Sequence, residues 1–149
     1  FDCFSSTDLV NWTKHERILT NENVKWARRA MWAPSVVEKD GKYYFYVSTN
    51  WCGIGVAVAD SPYGPFKDAL GKQLLTNAQC PGTTHSWACI DPAVYQDEEG
   101  NAWLYWGNGK CYVAKLKPNM IEIDGEVKEI TPEGSSFTEA PWVHKHNGK

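Results

Sequence analysis

Apolar residues in this chain gather in short runs of β-branched and aromatic character, and each run stops at a turn-forming cluster. KYYFYVST (42–49) and AWLYWG (102–107) each follow a Gly-containing turn and predict the second strand of a hairpin. GVAVAD (55–60) predicts a third strand, followed by the Pro-Gly turn SPYGPF (61–66) and a fourth candidate at KQLL (72–75). After the second hairpin the same order returns with CYVAKL (111–116), a turn at Pro118-Asn119, and candidates at 121–123 and 127–130. No stretch has the spacing of an amphipathic helix, so the expected class is all-β.

The hairpins repeat. WAPSVVEKDGKYYFYVSTN (32–50), IDPAVYQDEEGNAWLYWGN (90–108) and EAPWVHKHNGK (139–149) align on Pro34, Pro92 and Pro141, which are 58 and then 49 residues apart. Each proline precedes a short β run and a polar turn, at Asp40-Gly41, Glu99-Gly100 and Asn147-Gly148. Four antiparallel strands per unit of roughly 50 residues is the pattern of a β-propeller blade, and a sandwich would not repeat a proline-anchored hairpin in the same order. The chain then divides into 1–31, the end of a first blade and a connection; 32–89, a second blade; 90–138, a third; and 139–149, the start of a fourth. Propellers close with about 4–8 blades. This propeller is therefore expected to be incomplete, with about two and a half blades present, its end faces uncovered and its solubility poor.

Length and composition agree. At 149 residues and 16.8 kDa, with 42% apolar and 22% charged residues, the chain suits one globular domain. A net charge of −3 without a basic cluster argues against nucleic acid as a partner. No apolar run approaches the ~18 residues of a membrane helix, so no membrane partner is expected. The opening residues lack a starter Met and a signal-peptide pattern, and Asn147-Gly148-Lys149 is a turn with no strand after it, so the chain is expected to be cut at both ends. Cys3, Cys52, Cys80, Cys89 and Cys111 are odd in number and lack the C-x-x-C spacing of a zinc or redox site. Cys80 and Cys89 flank a polar loop, where buried free thiols are favoured over a bridge, and the cysteines assign no compartment.

Candidate chemistry arises from the repeat. The first strand of each propeller blade is innermost, so matched positions converge on one mouth of the axis. Trp32-Ala33-Pro34, Ile90-Asp91-Pro92 and Glu139-Ala140-Pro141 occupy those positions and bring two acids to nearly matched sites. Asp91 and Glu139 are expected to meet although 48 residues separate them. Like charges at close range, and partial burial, raise the pKa of one carboxyl, which a protonated leaving glycosidic oxygen requires. Asp before Pro is also a common turn residue, and Trp32 either packs in the inner ring or offers its indole face to a sugar. His85 has no evident partner and reads as a loop-ordering residue. His144 and His146 share one strand face, and two histidines make no metal site by themselves. Asn50 reads as a turn residue, and Asn108 as either a turn residue or a hydrogen-bond donor to hydroxyls.

The succession SSTDLVNWT (5–13), WAPSVV (32–37), GIGVAVADSPYGPF (53–66), IDPAVY (90–95), LYWGN (104–108) and TEAPWVHKHNGK (138–149) resembles glycoside hydrolase family 43 over essentially the whole chain. The resemblance implies a five-bladed β-propeller and an inverting hydrolase that removes arabinofuranosyl or xylosyl units from plant polysaccharides such as arabinoxylan or arabinan. It implies Glu139 as general acid, Asp91 as the group that tunes its pKa and orients it, and Trp32 in the sugar pocket, with Asn108 as a further substrate-binding candidate. The general base is expected upstream of Phe1, so the 149 residues alone are expected to be inactive. No cofactor is expected; some members hold a central ion, for which no residue here is assigned a role. The alternative is a carbohydrate-binding propeller that has lost catalysis. In the related fructan and sucrose hydrolases a Cys follows the acid, where this chain has Ala140.

Overall fold

The computed structural model describes residues 1–49, 53–132, 134 and 136–148. Asn50 and Cys52, both singled out from the sequence, lie outside the described residues, as does Lys149 at the end of the third repeat.

The fold is all-β. A hairpin of β1 (Cys3–Ser5) and β2 (Thr13–His15) precedes two meanders of the same connectivity. The first orders β3 (Met31–Lys39), β4 (Lys42–Thr49), β5 (Ile54–Ala59) and β6 (Lys67–Asp68) side by side. The second does the same with β7 (Ala93–Gln96), β8 (Ala102–Trp106), β9 (Tyr112–Leu116) and β10 (Ile123–Glu129). All pairings are antiparallel, so the expected four strands per repeat and their sequential order are both present. The helical content among the described residues is one 3-10 turn at Asn77–Gln79, and no described helix is long and apolar enough to cross a membrane.

Alternation along β4 and β5 explains why these strands read as unbroken apolar runs. Phe45, Val47, Ala57 and Ala59 point into a cluster with Leu19, Val24 and Trp26 of the preceding segment. Tyr46, Ile54 and Val56 point the other way, into a cluster with Leu104, Trp106, Tyr112 and Leu116 of the second meander. A sheet buried on both faces needs no polar positions. Inside the shared layer the Tyr46 hydroxyl donates to the Met120 carbonyl at 2.6 Å, and burial pushes its pKa upward.

The first strands of the two meanders run side by side. Val94 N–H donates to Ser35 Oγ at 3.1 Å, and the Gln96 amide donates to the Glu38 carbonyl at 2.6 Å, lacing β3 to β7. This lacing brings the starts of the two hairpins to one end of the stack.

Three strand expectations need correction, the first being that the candidates at 121–123 and 127–130 form one strand, β10, whose register shifts between Asp124 and Lys128. The edge strand of the first meander is Lys67–Asp68, and from KQLL only Leu75 bridges Ile54. The cause is Asp68. Its carboxylate accepts N–H groups from Leu70 (3.0 Å) and Gly71 (2.8 Å) and the Trp26 indole N–H (2.7 Å). That turn diverts the chain before it returns to β5. The run after Pro141 forms the expected turn at Asn147-Gly148 but no strand, because residues 141–148 enter no ladder with described residues.

Candidate active site

The repeated proline marks a repeated backbone turn. Ala33, Asp91 and Ala140, each immediately before its proline, have φ of 47°, 58° and 57°. A left-handed conformation costs a non-glycine residue about 1–3 kcal/mol and persists only where surrounding contacts enforce it. Three such residues at one register position identify a built feature. The Xaa-Pro steps at 33–34, 91–92 and 140–141, with Trp142, wall a hollow of about 230 Å³.

Asp91 lies at its base, 8% exposed. Its N–H donates to Ser48 Oγ at 2.8 Å, which ties it to the end of β4. Its carboxylate accepts the Ala140 N–H, from the residue just after Glu139. Burial raises the Asp91 pKa first and the negative charge of Glu139 adds to the rise, while the Ala140 hydrogen bond opposes both. The two acids therefore adjoin, as the repeat predicted, and the raised carboxyl is Asp91, the more deeply buried of the pair. They are offset by one residue. Asp91 is itself the left-handed residue, whereas Glu139 precedes one and shares its register place with Trp32 and Ile90.

The loop leaving β8 clamps both acidic segments. Gly107 N–H donates to the Ile90 carbonyl at 3.0 Å, and Gly109 N–H donates to the Thr138 carbonyl at 2.8 Å. Between them, Asn108 forms a β-bridge with Glu139, and its Nδ2 donates to Glu139 Oε2 at 3.1 Å. Gly107 has φ of 144°, and a Cβ there would strike the Lys110 carbonyl, so this clamp needs glycine. Asn108 thus holds one oxygen of an exposed carboxylate in place and leaves the other free to meet a ligand.

The remaining candidates scatter. Trp32 is half-buried and pairs across the β3–β4 ladder with Ser48, whose hydroxyl holds Asp91, and it does not wall the hollow. His85 is exposed and orders its loop, its Nδ1 accepting the Trp87 N–H at 3.1 Å. His144 and His146 are exposed, and His146 Nε2 meets the Asn147 amide at 3.1 Å. Among the described residues no three His, Cys, Asp or Glu side chains are grouped to hold a metal. Cys80 and Cys89 are buried free thiols in contact with each other, and the Trp106 indole N–H donates to Cys80 Sγ at 3.3 Å.

Sequence reasoning missed Ser48, which positions Asp91, and the Gly107-Asn108-Gly109 clamp as a unit. One signal was available: Ser48 interrupts an apolar strand at a fully buried position, where a hydroxyl requires a partner.

A family profile described as "Glycosyl hydrolases family 43" matches residues 1–149. The chain is 41% identical over 162 residues to the β-D-galactofuranosidase xynD of Aspergillus niger, covering 99% of this chain and 46% of that protein. It is 36% identical over 172 residues to the arabinoxylan arabinofuranohydrolase of Paenibacillus polymyxa, covering 97% of this chain and 26% of the relative. Among solved structures, the α-L-arabinofuranosidase of Clostridium thermocellum superposes with a TM-score of 0.89 at 37% identity, covering 99% of this chain and 49% of that one. The chain spans less than half the length of each of these three proteins.

Proposed function

Because the chain belongs to glycoside hydrolase family 43, we propose that its protein hydrolyses glycosidic bonds with inversion, removing arabinofuranosyl or xylosyl units from polysaccharides such as arabinoxylan or arabinan. In this reading the two meanders are the second (32–89) and third (90–138) blades of a five-bladed propeller, after the end of a first (1–31) and before the start of a fourth (139–149). The side-by-side inner strands and the converging Xaa-Pro turns support that arrangement.

Glu139 protonates the leaving oxygen while a carboxylate outside these 149 residues activates water on the opposite face of the sugar, about 6.5–9.5 Å away. Asp91 is the positioning group: it anchors the backbone that carries Glu139 through the Ala140 N–H. Asn108 fixes the Glu139 side chain, and Trp32 lies beside the site as an aromatic platform for the sugar. The observation that carries the reading is that the Gly107-Asn108-Gly109 clamp holds the Asp91 and Glu139 segments together, with Asn108 bonded to the Glu139 carboxyl.

Furanose sugars fit best. The three relatives compared with this chain are named for galactofuranose or arabinofuranose. α-L-Arabinofuranose and β-D-galactofuranose share their ring stereochemistry and differ in the exocyclic chain.

The test is a leaving-group series of aryl arabinofuranosides with the full-length protein. Glu139→Ala is expected to lose about 10²–10⁴-fold on poor leaving groups, the usual worth of a general acid, and far less on activated ones. Equal loss across the series removes the acid assignment.

A further inference from the structure

At the other end of the first meander, the loop between β1 and β2 faces the turn between β5 and β6 across a second cleft, of about 320 Å³. It shares no wall with the hollow that Asp91 lines. Two aromatic rings stand in it, Trp12 at 53% and Tyr63 at 44% exposure.

Both rings are held on a frame. Ser5 Oγ and His15 Nε2 are 2.8 Å apart, and that hydrogen bond sets the imidazole flat against Tyr63, with ring centroids at 3.9 Å and planes 13° apart. The Asp8 carboxylate accepts N–H groups from Val10 (2.9 Å) and Asn11 (2.8 Å), the Asn11 amide (2.8 Å) and the Ser6 hydroxyl (2.9 Å). These bonds fix the loop that presents Asn11 and Trp12, and they hold Asp8 well below the ordinary carboxylate range. The Trp12 indole N–H and the hydroxyls of Tyr63, Thr7 and Thr13 are engaged by no other described residue.

A rigid frame that keeps large rings in water must be explained by what covers them. The cleft walls carry no charge: besides the two rings they are serines, threonines and Asn11. An anion would find no cation there, and a purely apolar ligand would strand the hydroxyls. Sugar residues fit both features, stacking their C–H faces on aromatic rings while their hydroxyls meet short polar side chains.

We propose that this cleft is a second carbohydrate site, one that holds a stretch of polysaccharide away from the bond being cut. The choice of polysaccharide rests on the hydrolytic function proposed for the Asp91–Glu139 site. A protein that acts on a polymer gains residence on it from a second contact, because the other site then sees a raised effective concentration.

The test measures retention of the full-length protein in gels containing soluble arabinoxylan or arabinan, with dextran as control. Glu139→Gln in the background prevents hydrolysis. Trp12→Ala and Tyr63→Ala are each expected to weaken retention roughly tenfold, and Trp12→Phe to keep most of it. With Glu139 intact, both should raise KM for polymer while leaving kcat/KM on a small aryl arabinofuranoside within about twofold. Where Trp12→Ala does not fold, Thr7→Ala with Thr13→Ala removes two hydroxyls from an exposed surface and should still weaken retention. Unchanged retention in folded variants overturns the proposal, as does an equal loss on polymer and small substrate. Retention that depends on Trp12 in a protein with no hydrolytic activity keeps this site and overturns the catalytic reading. Hydrolysis with no dependence on Trp12 or Tyr63 does the reverse.

Discussion

The two meanders share connectivity and differ in what covers them. In β3–β6 both faces of the central strands are buried, one under the segment that includes Leu19 and Trp26 and one against the second meander. In β7–β10 of these 149 residues Ala102, Leu104 and Trp106 are buried against the first meander, while on the opposite face Trp103 and Tyr105 are half-exposed and Ala93 and Val113, paired with Tyr105, are buried. The site groups Asp91, Asn108 and Glu139 belong to the second meander and the segments flanking it, and the first contributes the Ala33-Pro34 wall, the neighbouring Trp32 and the supporting hydroxyl of Ser48. Within these residues the first sheet is set by packing on both faces, and the second carries the acidic groups at its end.

The sharpest way to break this comparison is the layer both sheets share. Trp106→Ala, at a fully buried position, is expected to cost about 3–5 kcal/mol in chemical denaturation of the full-length protein. Gly55→Ala tests the other face of the first meander, where a Cβ would run into the Trp26 indole; overpacking there should cost about 1–3 kcal/mol. Trp103→Ala, on the face of β8 directed away from the first meander, loses a ring that is half-exposed in these residues and a contact with the Lys115 ammonium 5.9 Å from its centroid. Its expected cost is about 1 kcal/mol or less. If Trp103 proves as costly as Trp106, the two faces are not different in kind.

The smallest expected effect on stability carries the most information about the site. Asp91 has its pKa raised by burial and then by Glu139, so the folded state binds its proton more tightly than the unfolded chain does. Stability therefore falls as pH rises from the ordinary carboxylate value of about 3.9 through the raised one, and stays lower above it. Asp91→Asn removes that charge and keeps an oxygen for the Ala140 N–H. The variant should be more stable than the parent at neutral pH, converge with it in acid, and lose activity. A stability gain that persists unchanged below about pH 3 would show that charge is not its origin.

Much of this was readable from the residues, and the unread parts have physical causes. The runs at 42–49 and 102–107 became β4 and β8 because alternation between two apolar layers leaves little choice of register. The convergence of Asp91 and Glu139 was legible because a repeated proline fixes equivalent positions. The edge strand was misread at KQLL because the side chain of Asp68, and no periodic pattern, decides where pairing stops. The left-handed turns at Ala33 and Ala140 were invisible, since alanine does not advertise a positive φ and only packing imposes it. Which acid takes the raised pKa depends on burial, and the repeat alone could not rank two acids one residue apart in register.

The bond from the Tyr46 hydroxyl to the Met120 carbonyl crosses an otherwise oily seam. A directional bond in that setting acts as an angular stop, because slippage of one sheet over the other would strand both groups without water. The azimuth between neighbouring sheets is thereby inherited from the body of the molecule. Surface loops can then diversify while the relative placement of Asp91 and Glu139 stays as it was.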